Sequence, residues 1–188
     1  MRASKQLPLL QRLKKNRSGK QQKQKRLPKS NLEATAILHN IRSLQNVGAM
    51  FRTADAAGIH TLILSGYTPS PTDLLGIVRK EFAKTALGAE RNVVWSHTKN
   101  IGASIRAFKQ QGYAVYAIER TRNAKDIFSY TVKKPLVCIM GNEVRGLSKS
   151  VLGKCDAILF IPMRGKKESL NVSVAFGIAA YQLVRDKK

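Results

Sequence analysis

The sequence predicts an α/β domain in which helices flank a parallel β-sheet. Its 188 residues, 43% of them hydrophobic, suit one compact domain with a core of its own. From Glu33 onward, short apolar runs rich in β-branched residues alternate with segments of helical periodicity, and no internal repeat is present. This alternation is typical of parallel sheets whose strands are connected by helices.

Each predicted strand is a short apolar run, and each predicted helix carries apolar residues three or four positions apart. In the segment 43–58, Val47, Met50, Phe51 and Ala54 recur at that spacing. The predicted strands are 34–38, 60–66, 92–96, 113–119, 135–141 and 157–162. The predicted helices are 43–58, 74–87, 102–112, 147–152 and a final helix that begins near residue 169.

Positive charge dominates the chain, because 34 Lys and Arg against 11 Asp and Glu give a net charge of +23. Such a surplus favours a polyanionic partner, and nucleic acid is favoured over a membrane surface. Residues 1–30 contain eleven Lys or Arg and no acidic residue. We therefore expect a disordered, RNA-binding basic arm at 1–30 and a folded domain at 31–188. The alternative for the arm is a solubilising tail without a specific partner.

The chain carries neither an apolar run long enough to span a membrane nor a secretory signal at its N-terminus. We therefore expect a cytoplasmic protein that does not act in a membrane. The cysteines, Cys138 and Cys155, are too few for a disulfide framework, and no Cys/His cluster has zinc-ligand spacing. Both are expected to be buried free thiols, and no metal site is expected.

Several common α/β chemistries lack their motifs. No G-x-G-x-x-G follows a predicted strand, so a dinucleotide site is not indicated. The segment GNEVRGLS at 141–148 resembles a P-loop, but Leu147 replaces the phosphate-binding lysine. G-x-S-x-G is absent, and His39, His60 and His97 have no obvious Ser or Cys partner. The histidines are expected to be structural, with His39 ambiguous because it adjoins Asn40.

Polar residues cluster at two predicted strand ends, where open parallel sheets bind their ligands. In the segment 39–58, Arg42 is followed by Asn46 and Arg52 on an otherwise apolar helix. The alternative is that Asn46 caps this helix and Arg52 forms a surface ion pair. In the loop after the strand at 135–141, Gly141 and Gly146 allow close backbone approach beside Glu143.

The segment 161–185 combines a polar start with a helix that is apolar on nearly every side. Such a helix is expected to be buried in the cover of the sheet or in a subunit interface. Ser169 could cap it, but Asn171, one turn inside, would need a polar partner or a ligand. The polar start is therefore expected to belong to a site.

Three segments of this chain, N-x5-R (Asn46 and Arg52), MGNEVRGLS and IPMRGKKESLNVSVA, together resemble the motifs of a known family. They resemble those of the SpoU, or TrmH-like, RNA 2′-O-ribose methyltransferases of the SPOUT superfamily. The resemblance covers residues 33–185 and excludes the basic arm. It implies a C-terminal deep trefoil knot, a homodimer and S-adenosylmethionine as the cofactor.

The resemblance also implies residue roles. Gly141, Ile161 and Leu170 would contact the cofactor through backbone groups, and Met140, Met163 and Ser169 would line its pocket. Many relatives carry a threonine where this chain has Ile118 and Glu119, which are the expected cofactor contacts at that strand end. The polar catalytic set implied by the motifs is Asn46, Arg52, Glu143, Ser169 and Asn171.

The reaction implied is methyl transfer from S-adenosylmethionine to a ribose 2′-hydroxyl of tRNA or rRNA. It needs no metal, because positioning the ribose oxygen in line with the methyl group is the main requirement. A guanidinium is a poor base, so Arg52 is expected to hold a phosphate and stabilise the alkoxide. The alternatives are a SPOUT-fold RNA base methyltransferase and a non-catalytic RNA-binding or ribosome-assembly protein.

Overall fold

The computed structural model describes residues 34–133 and 135–185, which contain a seven-stranded sheet and five α-helices. The strands are β1 (Ala34–His39), β2 (Thr61–Ser65), β3 (Val94–Thr98), β4 (Ala114–Ile118), β5 (Lys125–Asp126), β6 (Leu136–Met140) and β7 (Ala157–Phe160). The helices are α1 (Leu44–Ala57), α2 (Lys80–Ala86), α3 (Ile101–Gln110), α4 (Lys149–Leu152) and α5 (Val172–Val184). The predicted basic arm lies outside the described residues.

The sheet has the strand order β3-β2-β1-β6-β4-β7-β5, and every neighbouring pair is parallel. The prediction of a parallel sheet flanked by helices is therefore confirmed. In the register of β1, Leu38 lies beside Leu64 of β2 and beside Met140 of β6. Because all strands run in one direction, their carboxyl ends meet at one edge, where α/β sheets place their ligands.

The core lies between the sheet and its helices. The central strands β1 and β6 are buried along almost their whole length, which explains their continuous apolar sequences. Phe51 of α1 packs edge-to-face on Phe82 of α2 with ring centroids 5.1 Å apart, and both rings are fully buried. Phe176 anchors α5 in the same core. Within the described residues, no helix combines the length and apolarity needed to span a membrane.

The predicted helix at 74–87 is wrong in its first half, because α2 begins only at Lys80. The preceding residues form a turn in which Asp73 Oδ1 accepts hydrogen bonds from Leu75 N and Ile77 N, both at 2.9 Å. Gly76 has a φ of +79°, which interrupts any helix. A short acidic side chain that bonds nearby backbone N–H groups therefore overrides the helical spacing of the apolar residues.

The last helix also begins later than predicted, at Val172 rather than near residue 169. Asn171 is its N-cap, and Asn171 Oδ1 accepts a hydrogen bond from Ser173 N at 2.9 Å. The expectation that Ser169 caps the helix with Asn171 inside it is therefore wrong. The interpretation of Asn46 as a cap is also wrong, because Ser43 Oγ caps α1 by accepting from Asn46 N. The two-residue strand β5 was not predicted.

Candidate active site

A cleft of about 710 Å³ opens at the carboxyl ends of β4, β6 and β7. Its wall includes all eight residues that the sequence predicts as cofactor contacts: Ile118, Glu119, Met140, Gly141, Ile161, Met163, Ser169 and Leu170. They come from three separate segments of the chain, which the sheet topology brings to one edge. Their role in cofactor binding stays a prediction, but their convergence on one cleft is a property of the structure.

The floor of the cleft includes the loop that follows β6, and Glu119 holds this loop in place. Glu119 Oε2 accepts a hydrogen bond from Leu147 N at 2.9 Å, and Glu119 Oε1 accepts one from Arg120 N at 3.0 Å. Gly146 has a φ of +61°, and a Cβ there would collide with the Glu119 carboxylate. A Cβ on Gly141 would lie 2.8 Å from the carbonyl carbon of Gly146. Both glycines are therefore needed for the loop to fold back on itself.

Glu143 connects the same loop to the N-terminus of α1. Its carboxylate accepts hydrogen bonds from Arg42 N, at 3.0 Å to the nearer oxygen, from Ser43 N at 3.3 Å and from Asn46 Nδ2 at 3.1 Å. Partial burial acts to raise the pKa of Glu143, but these hydrogen bonds outweigh it and hold the pKa below its ordinary value. Glu143 is therefore a carboxylate at neutral pH and remains an acceptor.

A second hydrogen bond extends this connection to the C-terminal helix. Asn171 Nδ2 donates to Asn46 Oδ1 at 3.2 Å, so the three side chains Glu143, Asn46 and Asn171 form one chain of hydrogen bonds. Asn171 Oδ1 in turn accepts from Ser173 Oγ at 2.6 Å. The network joins the loop after β6, the start of α1 and the start of α5, and Glu143 also lines the cleft. We call it the polar relay.

Asn142 is a buried residue beside the polar relay that the sequence reasoning missed. Asn142 Nδ2 donates to Asn40 O and to Tyr67 Oη, both at 2.9 Å, and lies 3.5 Å from Glu143 Oε2. Its Oδ1 accepts from two backbone N–H groups of its own loop, at Val144 and Arg145. A buried amide directly after an apolar strand is the signal that could have identified it.

A sequence profile described as the SpoU rRNA methylase family matches residues 33–181 of this chain. The chain belongs to the SpoU family. A relative from Ralstonia nicotianae, the 23S rRNA (guanosine-2′-O-)-methyltransferase RlmB, is 34% identical over 152 residues. That alignment covers 80% of this chain and 58% of the relative, so the chain spans less than two thirds of the relative's length.

Two solved structures that concern RNA methylation have the same fold. An AdoMet-bound rRNA methyltransferase from Sinorhizobium meliloti is 30% identical, with a TM-score of 0.72 over 80% of this chain and 55% of its own. A second structure, from work on the 2-OH methylation of C/U34 on tRNA, is 28% identical to this chain, with a TM-score of 0.68. This match covers 80% of the present chain and 93% of the other chain.

Arg52 belongs to the predicted catalytic set, but the structure brings it neither to the polar relay nor to the 710 Å³ cleft. It follows Asn46 by six positions, so the two side chains point about 120° apart around α1. Arg52 is exposed and lines a second cleft of about 350 Å³ together with Asp55, Leu87 and Asn92. Within one chain, the predicted catalytic set is therefore divided between two sites.

Further residues of the SpoU cleft had no clear signal in the sequence. Arg120 Nη1 donates to Glu168 O at 3.2 Å and so connects the segment after β4 to the segment before α5. Ser169, a predicted site residue, lines the cleft beside Glu168 and is exposed. The other lining residues that were not predicted lie within the motifs or close to predicted cofactor contacts: Thr121, Arg122, Val144, Phe160, Val172 and Ala175.

The prediction that His39 lacks a serine partner is wrong. His39 Nδ1 and Ser65 Oγ are hydrogen-bonded at 3.1 Å, and burial lowers the pKa of His39. Ser65 is fully buried, so its hydroxyl is not exposed to a substrate, and the pair connects β1 to β2. Among residues 34–133 and 135–185, no group of His, Cys, Asp and Glu is arranged to hold a metal ion. Catalysis without a metal stays a prediction.

Proposed function

We propose that this protein transfers a methyl group from S-adenosylmethionine to a ribose 2′-hydroxyl of tRNA or rRNA. The observation that carries the proposal is the polar relay at the edge of the 710 Å³ cleft. A site for an adenosine-containing cofactor and a set of polar groups able to orient a hydroxyl are thus adjacent, in a chain of the SpoU family.

The chemistry of the cleft fits the cofactor. Ile118, Met140 and Ile161 supply apolar walls for an adenine ring and a thioether chain. Each oxygen of Glu119 accepts one backbone hydrogen bond and retains capacity for a ribose hydroxyl. When bound, S-adenosylmethionine would supply a sulfonium methyl group, which needs no metal for its transfer.

The residues of the polar relay would orient the RNA. Because Glu143 is ionised and already accepts the Asn46 amide, it fixes that amide and, through it, Asn171. A fixed donor and acceptor pair can hold a ribose in line with the methyl group. Positioning of this kind lowers a reaction barrier by about 7 kcal/mol or more. Arg52 would hold a neighbouring phosphate rather than take the proton.

The separate position of Arg52 leads us to infer a homodimer in which both copies form each site. One side of α5 is buried against the core, whereas Val174 (51%) and Tyr181 (56%) on the other side are exposed. An exposed apolar helix face is typical of a subunit interface. Arg52 lies on the exposed side of α1, near Thr53, whose methyl group approaches Gly177 of α5. A second copy covering this face would meet Arg52.

A complementation experiment tests the shared site. Arg52→Ala and Asn171→Ala proteins, each inactive alone, are mixed, unfolded and refolded together. If each site combines Arg52 of one copy with Asn171 of the other, the mixed dimers have one intact site, and about a quarter of the wild-type activity returns. If Arg52 acts within its own chain, no intact site forms and no activity returns. Light scattering that gives a 20.9 kDa monomer would refute the dimer itself.

The reaction is tested by labelling total RNA from cells that lack the protein, with purified protein and methyl-labelled S-adenosylmethionine. Ribose methylation leaves an alkali-resistant dinucleotide, because the attacking 2′-hydroxyl is blocked. A label that appears on a base after digestion would support the base methyltransferase instead. RNA binding without any methyl transfer would support the non-catalytic alternative. Arg52→Ala should lose transfer but keep cofactor affinity, and Arg52→Lys should not restore it.

We further propose the finer features that the family implies. The C-terminal part would form a deep trefoil knot; the position of β6 between β1 and β4 and the Glu119 contact with the loop after β6 support a folded-back path. An experimental structure traced through residue 134 tests the knot. The basic arm at 1–30 would add RNA affinity to the domain at 31–188.

We also propose that the protein acts in the cytoplasm, where tRNA and rRNA substrates would be available to it. Cell fractionation tests this location.

A further inference from the structure

Tyr67 is an exposed aromatic residue at the same edge of the sheet as the polar relay. It follows β2, and 58% of its surface is exposed although Ser65, two residues before it, and Thr68, directly after it, are buried. Ser65 is fully buried, and Thr68 is 1% exposed. The chain therefore turns outward for one bulky residue and then returns to the core. A tyrosine ring combines a large apolar face with a polar hydroxyl, which suits contact with a partner at a wet surface.

The turn that presents Tyr67 is held rigidly from several directions. Tyr67 N donates to Asn40 Oδ1 at 3.2 Å, and Gly66, with a φ of +68°, lies so close to this amide that a Cβ would not fit. Thr68 Oγ1 accepts a hydrogen bond from Ile41 N at 3.0 Å, and its single hydroxyl proton lies within hydrogen-bond reach of Leu38 O and Ser65 O, at 2.8 and 2.9 Å. The position of the ring is thus fixed before any partner binds, which lowers the entropy lost on binding.

The hydroxyl of Tyr67 connects the ring to the polar relay through a hydrogen bond with Asn142. Asn142 Nδ2 donates to Tyr67 Oη at 2.9 Å and lies 3.5 Å from Glu143 Oε2, so one amide nitrogen lies between the ring and the polar relay. A ribose held at the relay would have its own base, or the next base along the strand, within reach of the ring. Tyr67 does not line the 710 Å³ cleft, so the cofactor does not account for its exposure.

We propose that Tyr67 is a stacking platform for an RNA base at or next to the target nucleotide. The inference rests on the proposed function, because it assigns the partner of the same site. Unpaired RNA bases stack on tyrosine rings, and such stacking tolerates any base because every base has a π face. Tyr67 would then act as a positioning residue: it would hold the nucleotide unstacked from its neighbours while the polar relay orients the ribose.

The test uses the full chain and two variants, Tyr67→Leu and Tyr67→Phe. Leucine removes the aromatic face and phenylalanine keeps it, although both lose the hydroxyl. Phe128→Leu is the matched control, because Phe128 is also an exposed aromatic residue (47%) and lies outside the cleft. The probe is a single-stranded 12-nucleotide RNA that contains 2-aminopurine, whose fluorescence is quenched when the base stacks on a ring.

Tyr67→Leu should abolish the quenching and weaken RNA affinity roughly fivefold or more, the effect expected for loss of one stacked base. Tyr67→Phe and Phe128→Leu should stay within about twofold of the wild type. S-adenosylmethionine affinity should be unchanged in all three variants, which shows that they are folded. With total RNA from cells lacking the protein as substrate, Tyr67→Leu should raise KM far more than it changes kcat.

Equal quenching by the wild type and Tyr67→Leu would overturn the proposal, as would a Tyr67→Phe protein as weak as Tyr67→Leu, since the hydroxyl would then be the important group. Failure of the proposed function gives a different result. A wild-type protein that methylates no RNA refutes the methyltransferase, whereas the fluorescence measurement still decides whether a base stacks on Tyr67.

Discussion

The Glu143→Gln substitution tests the central contact of the polar relay. Glutamine has nearly the same shape as glutamate but lacks the charge, and its amide group replaces one acceptor oxygen by a donor. The carboxylate accepts from Arg42 N, Ser43 N and Asn46 Nδ2, so the amide cannot satisfy all three donors. The variant should therefore be less stable than the wild type and should orient Asn46 less well.

The loss of stability expected for Glu143→Gln is limited by the exposure of Glu143 to solvent. Hydrogen bonds to a buried charge contribute about 1.5–3 kcal/mol each, but water competes for the donors at this exposed site. A carboxylate at an exposed helix N-terminus contributes about 0.3–1 kcal/mol. We therefore expect Glu143→Gln to lower the free energy of unfolding by about 1 kcal/mol, which lowers Tm by about 2–4 °C in a chain of this size.

The pH dependence of this Tm difference is a more specific test of the carboxylate than its size at a single pH. Because the pKa of Glu143 is lowered in the folded protein, its stabilising contribution is fully present above the unfolded pKa of about 4.3 and is lost as the pH falls through the folded pKa. The Tm difference between the wild type and Glu143→Gln should therefore be largest near neutral pH and close under acidic conditions, where the wild-type side chain is also uncharged.

Thermal unfolding followed by circular dichroism at several pH values measures this difference. Glu168→Gln is the matched control, since Glu168 is exposed and its carboxylate has no hydrogen-bond partner among residues 34–133 and 135–185. The control should match the wild type throughout the pH range. A Glu143→Gln protein with an unchanged Tm at pH 7, or with a Tm deficit that persists at acidic pH, would refute the assigned role of the carboxylate.

Three further predictions concern the loop, the helix cap and the arm. Gly141→Ala should lower the free energy of unfolding by about 1–3 kcal/mol and weaken S-adenosylmethionine binding, because the new Cβ would lie 2.8 Å from the Gly146 backbone. Melting curves measure the stability, and calorimetry measures the binding. Asn171→Ala should remove about 1 kcal/mol of cap energy and most methyl transfer, measured by labelling well below Tm. Deletion of residues 1–30 should reduce the slope of log K against log salt by roughly 3 to 5 units, measured by RNA titration, without changing cofactor affinity.

The sequence predicts those parts of the fold that depend on local pattern. Continuous apolar runs identify the strands because parallel strands are buried on both faces. The strand order is not local: β1 pairs with β6, from which it is separated by nearly a hundred residues. The helix predicted at 74–87 also fails before Lys80, because its course depends on contacts that hydrophobic spacing does not show. One Asp73 carboxylate and the positive φ of Gly76 decide that segment, and neither appears in hydrophobic periodicity.

In the candidate site, too, some features follow from local sequence and others depend on contacts between distant segments. The motif residues Gly141 and Glu143 line the cleft because their motif follows the end of β6, and Leu170 lines it from the segment just before α5. The family motif places Asn46 and Arg52 in one catalytic set, but six positions on a helix turn the two side chains about 120° apart. The motif therefore does not say which residues meet, whereas the helical spacing already separates these two. The roles of Asn142 and Tyr67 depend on a contact between segments 75 residues apart. Only the folded chain shows such contacts.

The N-cap residue of α5, Asn171, has two roles at once, and this overlap affects how its variants are interpreted. Asn171 caps α5 and also belongs to the polar relay, so a loss of activity in Asn171→Ala alone does not separate folding from function. Asn100 offers the comparison: it is the N-cap of α3, where its Oδ1 accepts from Ala103 N at 3.0 Å, and it makes no contact with the relay. Asn100→Ala removes an equivalent cap of about 1 kcal/mol. If both variants lose similar stability but only Asn171→Ala loses methyl transfer, the amide acts in the site; equal loss of transfer would reduce Asn171 to a helix cap.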